Sequence, residues 1–397
     1  MSGLTERAIS SAIKGKRTFV KYISANDTGL TRSHQVGYYI GKKAVPILFD
    51  TPGIKGTNKE RAIRISWQDG SVSDSMAKYY GTGTRNEYRV TRFGKGFEFL
   101  RHEYTGSMLV LVQHTEDEYE GYVLSSDEDM EEFRAAFDLS PTDSSILIDA
   151  ERGKPEKKLD AEMSRLISGL MVDFPDTEEM SEYARRLTDF TGLCRPSDPV
   201  NIPDRVLLLW TDVEYRLFRA IENERYGPVV RAGFESMDRF VEMANTVLNK
   251  RKSRAGKGFE HHLSALFERN GLRFSGQCVT EGNRRPDFIF PSSEAYHDAS
   301  FPDENLVFLG AKTTCKDRWR QILNEAERFR NRDKFLVTLQ QGVSPAQMDE
   351  MQEERVILVV PKEYHGRYPE QPFNYRSRLW TLERFIRHVR EIQGGQI

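Results

Sequence analysis

The character of this chain changes abruptly between positions 141 and 160. Pro141-Thr142-Asp143-Ser144-Ser145 and Glu151-Arg152-Gly153-Lys154-Pro155-Glu156-Lys157-Lys158 bring breakers and charge with no apolar periodicity. Such a stretch cannot bury a core and suits a linker. Upstream, short β-branched and aromatic runs recur at 18–23, 36–40, 45–49, 62–67, 88–93, 108–112 and 119–124. Turn chemistry parts them at Asn26-Asp27-Thr28-Gly29, Thr51-Pro52-Gly53, Asp69-Gly70 and Gly81-Thr82-Gly83. Short strands at this spacing predict an antiparallel barrel or sandwich.

Downstream, helical spacing predicts helices over 161–170, 177–190, 204–224 and 236–251, the last carrying Phe240, Met243, Ala244, Val247 and Leu248. A further stripe, Phe259, Leu263, Leu266 and Phe267, ends at Asn270-Gly271, a helix C-cap. Strands are expected at 288–290, where Pro291 stops the run, and at 306–311, a continuous apolar run of the buried central kind. A helix over 318–328, strands at 335–339 and 356–360, and an amphipathic helix over 379–392 complete an α/β sheet flanked by helices. The expected division is a β domain over 1–145, a linker over 146–160 and an α/β domain over 161–397.

A length of 397 residues favours two or three domains. With 38% hydrophobic and 30% charged residues the composition is that of a soluble, polar protein. No run approaches the ~18 apolar residues of a membrane span, and the first residues lack a signal-peptide pattern. Cys194, Cys278 and Cys315 are scattered and odd in number, which excludes a disulfide framework or a four-cysteine zinc site and points to a reducing, cytoplasmic setting. The net charge of -2 does not announce a nucleic-acid binder, but charge is uneven. Positions 250–254 and 316–320 are basic, while 115–120 and 125–132 are acidic. A basic stripe on a neutral protein can still track phosphates, although any single run is more often solvated surface.

The chemistry centres on Arg284-Arg285-Pro286-Asp287-Phe288-Ile289-Phe290 and Leu309-Gly310-Ala311-Lys312. An acid at the start of one strand and a lysine at the end of the next can meet on adjacent strands. Phosphodiester hydrolysis uses such a pair: a carboxylate for Mg²⁺, and a lysine that orients water or stabilises developing charge. A second acid would ordinarily sit two residues before the lysine, where this chain has Gly310. Glu325, beside the Ile322, Ala326 and Phe329 stripe, is one replacement, and Glu260, beside Phe259, is another. Each residue also has an ordinary role: a snorkelling edge lysine, Glu325 paired to Arg328 or Lys316 on a helix face, Glu260 complementing a helix dipole.

Longer motifs point to a family. Residues 251–257, Thr280-Glu281-Gly282-Asn283-Arg284-Arg285-Pro286-Asp287-Phe288, Ala295-Tyr296-His297-Asp298, the run 312–326 and Val359-Val360-Pro361 resemble the EcoRII-type restriction endonucleases. Ser24-Ala25-Asn26-Asp27-Thr28-Gly29, His34-Gln35-Val36-Gly37 and Thr84-Arg85-Asn86-Glu87 are similar too. The resemblance implies a multidomain α+β protein, with an N-terminal B3-like β pseudobarrel and a C-terminal restriction-endonuclease-like fold around a central mixed sheet flanked by helices. It implies Asp287 and Glu325 as Mg²⁺ ligands, Lys312 as the catalytic lysine, Tyr296 near the centre, and Arg318 at guanines of a short CC/GG-type site, with Arg320 beside it on the DNA-binding surface. On the effector side it implies His34, Tyr39, Arg85, Glu87 and Arg89 as a DNA-binding surface. Gly83 and Tyr88 stand where the family is basic, which bears on that surface's sequence preference and on methylated cytosine.

The function expected is that of a type II, Mg²⁺-dependent endonuclease cutting duplex DNA at a short, C/G-rich, near-palindromic site. Its expected partners are two DNA copies, catalytic and effector, a second copy of the chain and a cognate DNA methyltransferase. A non-cleaving sequence-specific DNA binder and a methylcytosine-dependent nuclease are the alternatives. Gly15-Lys16-Arg17-Thr18 lacks the upstream glycine of a phosphate loop, and position 17 is neither Ser nor Thr, which argues against a nucleotide-dependent enzyme.

Overall fold

Trp67 and Tyr79 mark the logic of the N-terminal half: alternate residues of each strand turn inward, and the aromatic ones fill a common interior. In the computed structural model, which describes residues 2–31, 36–137, 139–148, 157–280, 284–324, 328, 332–369 and 377–394, this half contains eight strands. They are β1 (Arg17–Tyr22), β2 (Tyr38–Ile40), β3 (Lys59–Trp67), β4 (Val72–Tyr80), β5 (Glu87–Thr91), β6 (Met108–Gln113), β7 (Glu118–Leu124) and β8 (Ser145–Ile148). Their order is β2-β5-β4-β3-β7-β6-β1-β8. All pairs are antiparallel except β3 with β7, so the sheet is mixed where the sequence suggested antiparallel pairing throughout. It curls into a nearly closed barrel; Lys21 Nζ on β1, next to one end, donates to the Tyr39 carbonyl on β2 at the other end at 3.2 Å. Phe19, Tyr38, Trp67, Tyr79, Tyr88 and Tyr119 fill the inside. On the outside, α1 (Gly3–Lys14) and α2 (Asp127–Phe137) cover a smaller cluster around Val20, Val110 and Phe133.

Two expectations for this half need correction. Residues 45–49 do not form a strand: Lys42–Ile47 is a 3-10 helix containing Pro46, which has no N–H to give a ladder. β4 was missed because its inward residues, Ser73, Ser75 and Ala77, are small. They leave room for Trp67, whose Nε1 donates to Ser73 Oγ at 2.9 Å.

The second sheet holds β9 (Ser275–Gly276), β10 (Phe288–Phe290), β11 (Val307–Lys312), β12 (Lys334–Thr338), β13 (Val356–Val359) and β14 (Leu379–Trp380), in the order β14-β13-β12-β11-β10-β9. β11 to β14 run parallel and β9, β10 and β11 antiparallel, the mixed sheet the sequence suggested. Helices between the two sheets are α3 (Lys157–Ser168), α4 (Thr177–Thr191), α5 (Asp198–Asn201), α6 (Pro203–Ala232) and α7 (Met237–Arg269). α8 (Ser293–His297), α9 (Pro345–Glu353) and α10 (Leu382–Ile392) belong to the second sheet. The whole is an α+β fold.

α7 unites two stretches that looked like separate helices. The glycines between them do not break it, because Gly258 serves the packing against α6: a Cβ there would lie 2.2 Å from Glu214 Oε1. The outer half of the α6–α7 hairpin is different. Val230, Met237, Phe240 and Val241 are exposed, Met237 by 74%. The stripe at Phe240, Met243, Ala244, Val247 and Leu248 is only partly buried, Phe240 least of all, although its helical spacing suggested core.

Candidate active site

The antiparallel register of β10 and β11, with Phe288 opposite Leu309, brings the residue before β10 to the C-terminal end of β11. That residue is Asp287, 5% exposed. Its Oδ2 accepts the Ala311 N–H at 2.7 Å and Lys312 Nζ at 3.0 Å. Two neighbouring donors on one strand thus fix the carboxylate and the ammonium together. Glu260 arrives from α7. Gln277 Nε2 donates to Glu260 Oε2 at 2.9 Å and to Asp287 Oδ1 at 3.2 Å, linking the two acids. Burial first, and the Asp287 charge second, hold Glu260 above the ordinary carboxylate range, against the pull of Gln277 and Lys312.

This donor set fits a hard divalent cation: two carboxylates share a polar bridge, and a lysine stands beside one of them. Glu325 lies outside the described residues. Gly310 explains why the acid is not two residues before the lysine. A Cβ there would lie 2.6 Å from Ile322 Cγ2, so Ile322, fully buried, fills the space a longer side chain would need.

Tyr296, 2% exposed on α8, packs into the core of the second sheet. Arg328 lies 5.7 Å from its ring and donates to its carbonyl. The stretch expected as a helix over 318–328 is, in its described part, a 3-10 helix over Arg318–Asn324, with a tighter turn and longer rise than an α-helix.

Arg318 and Arg320 are engaged. Arg318 Nη1 donates to Glu131 Oε1 of α2 at 2.6 Å, and Arg320 pairs with Glu350 of α9. Asp127, at the start of α2, accepts the backbone N–H groups of Lys316, Asp317 and Arg318 at 3.1, 2.9 and 3.0 Å. In return Asp317 Oδ1 accepts the Asp127 N–H at 3.0 Å. Each of two facing helix starts is capped by the other's aspartate. Glu132 of α2 pairs with Lys252 at 3.2 Å, and Arg251 donates to the Ala135 carbonyl at 2.8 Å. The acidic run at 125–132 therefore lies against both basic runs noted in the sequence. Burial pushes Asp317 up to about 6, with its hydrogen bond to Asp127. Asp127 lies below its ordinary range, because donors from Asp317, Arg318 and Lys316 together outweigh burial. Lys316, buried against the first sheet with Nζ donating to Ser107 Oγ, is brought down to about 8 by burial.

On the first sheet Tyr39 and Arg89 are register partners on β2 and β5. Arg89 is 3% exposed and donates to the Gly37 carbonyl at 3.0 Å. Glu87 lies 3.6 Å from its Nε, and Arg85 sits over the Tyr80 ring on the loop before β5. His34 lies outside the described residues. Residue type alone gave no signal for Gln277, nor for the partners of Asp127 and Glu131.

The family profile described as "Restriction endonuclease EcoRII, N-terminal" matches residues 12–149, and "EcoRII C terminal" matches residues 218–386. The chain is 39% identical to the type II restriction enzyme EcoRII of Escherichia coli, over 93% of this chain and 92% of that one. It is 26% identical to the type II restriction enzyme SsoII of Shigella sonnei, over 38% of this chain and 50% of that one. Among solved structures, the restriction endonuclease PspGI in complex with substrate DNA is 16% identical, with 56% of this chain and 94% of that one covered at a TM-score of 0.45. The extent of the EcoRII match settles the assignment: the chain belongs to the EcoRII family of type II restriction endonucleases, DNA-binding enzymes that hydrolyse phosphodiester bonds site-specifically.

Proposed function

We propose that this endonuclease cuts duplex DNA at a short, C/G-rich, near-palindromic site in a Mg²⁺-dependent reaction centred on Asp287, Lys312 and Glu260, with Glu325 as a further ligand. The observation that carries the reading is the 3.0 Å contact of Lys312 Nζ with Asp287 Oδ2, beside the Gln277 bridge to Glu260. Asp287, Glu260 and Glu325 would hold the cation. The chemistry it supplies when bound is polarisation of the scissile phosphate and acidification of a water. The Ala311 N–H keeps Asp287 from rotating away. Lys312, one hydrogen bond from that carboxylate, positions the attacking water and meets the charge developing on the phosphate. Tyr296, whose ring and carbonyl meet Arg328, is read as a residue near this centre from the family resemblance. Arg318, with Arg320 beside it, reads guanine edges through a bidentate guanidinium.

The first sheet is read as a B3-like barrel that binds an effector copy of DNA through His34, Tyr39, Arg85 and Glu87, with the buried Arg89 bracing that surface through Gly37 and Glu87, and that restrains the nuclease until it does so. The contacts of α2 with Arg318, Lys252 and the 316–318 backbone support this restraint, because they occupy groups that DNA would use. A near-palindromic target calls for a two-fold dimer, and the exposed apolar stripe of the α6–α7 hairpin supports a contact with a second copy. Residues 223–250 carry Glu224, Glu235, Asp238 and Glu242 against Arg225, Arg231, Arg239 and Lys250. This balanced mixture suits self-complementary pairing rather than phosphates. A cognate methyltransferase would protect the cytoplasmic genome. No helix among the described residues is long and apolar enough to cross a membrane.

Plasmid cleavage with and without Mg²⁺, followed by sequencing of the ends from methylated and unmethylated DNA, tests the reading. Cut ends at one C/G-rich site with Mg²⁺ are expected. Binding without nicking would favour a non-cleaving binder, and cutting of methylated DNA alone would favour the methylcytosine-dependent alternative.

A further inference from the structure

Gln277 stands at φ +52°, left-handed backbone that a non-glycine residue seldom adopts. It follows β9 directly, and its N–H still donates to the Asp287 carbonyl at 3.2 Å, so the kink falls opposite the acid. There the amide reaches two carboxylates on different elements, Glu260 of α7 and Asp287 before β10. Both acceptors are anionic, which settles that the NH₂ end faces them. A glycine would hold this backbone without strain but would remove the amide that reaches both acids.

We propose that Gln277 is a positioning residue of the cation site, holding the Glu260 carboxylate beside that of Asp287 so that the two act as one ligand pair. The proposal rests on the reading of Asp287 and Glu260 as cation ligands. A polar bridge hydrogen-bonded to ligand carboxylates fixes the orientation of side chains that would otherwise spread. The left-handed conformation is what aims the side chain across the gap.

Binding of Mn²⁺ alone to the full chain, followed by the loss of its free-ion resonance, tests this in Gln277→Gly and Asp287→Asn alongside the parent. In the glycine variant the relieved backbone offsets the two lost hydrogen bonds, so its thermal midpoint should stay near the parent's while its Mn²⁺ affinity falls about 10-fold or more. Parent-like affinity in Gln277→Gly, with affinity lost in Asp287→Asn, would overturn the role of Gln277 and leave the site standing. Loss of thermal stability together with affinity would also overturn it, as a merely structural role. Parent-like affinity in Asp287→Asn would remove the site itself, and this proposal with it.

Discussion

Lys312 and Arg318 are six residues apart and stand in opposite situations. Lys312 ends β11 already hydrogen-bonded to Asp287, with Glu260 brought alongside through Gln277. Arg318 opens the next turn with its guanidinium on Glu131 of another element, under a backbone held by Asp127. The cluster proposed for chemistry is assembled by the second sheet and α7 without help from the first sheet, whereas the residue proposed for base reading is occupied by α2. Control would then act on access to DNA and leave the cleavage centre untouched, as the proposed restraint requires.

The contrast can be broken from either side. Lys312→Ala should have the largest effect, lowering the cleavage rate about 100-fold or more with specific binding retained; single-turnover assays with band-shift measurements check both halves. Arg318→Ala should cost roughly 1–3 kcal/mol of discrimination, read as the ratio of cleavage at cognate and single-substituted sites. Gly310→Asp, which restores the ordinary acid position, should not strengthen the site. It presses on Ile322 and should destabilise the fold by about 1–3 kcal/mol, seen in denaturant unfolding.

Asp317→Asn should give the smallest effect. Asp317 is raised from 3.8 to about 6, so its proton stabilises the folded contact fully below 3.8, and that contribution is lost as pH rises through about 6. The lowered Asp127 makes the opposite contribution, lost at pH values below its ordinary range. Asparagine keeps an acceptor for the Asp127 N–H and removes the titration. The thermal midpoint of the variant should therefore gain on the parent as pH rises through about 6, and a pH-independent difference would count against the shared proton.

Much of this was legible in the sequence where side chains carry periodicity. The apolar run into Lys312 and the short Phe288–Phe290 strand mark β11 and β10, and their adjacency follows from Asp287 and Lys312 needing one another. β4 was hidden because Ser73, Ser75 and Ala77 are small in order to admit Trp67, a reason found only across the sheet. The sequence divided α7 into a helix over 236–251 and a separate stripe at 259–267, whereas Gly258 between them reports the approach of Glu214 from α6. Gly310 could be seen as a missing acid but not explained, since Ile322 excludes it from another turn of chain. The acidic run at 125–132 and the basic runs at 250–254 and 316–320 were each visible. That they meet depends on tertiary packing that no local pattern encodes.

The central claim is tested most directly by the cleavage rate of DNA bearing one site, using the full chain with Asp127→Asn, Glu131→Gln and Glu132→Gln combined. These changes remove the three carboxylates of α2 that meet the 316–318 backbone, Arg318 and Lys252, and nearly preserve its shape. Faster single-site cleavage than the parent, with unchanged helical content, is the expected result. A rate no faster than the parent's in a folded variant would contradict the account.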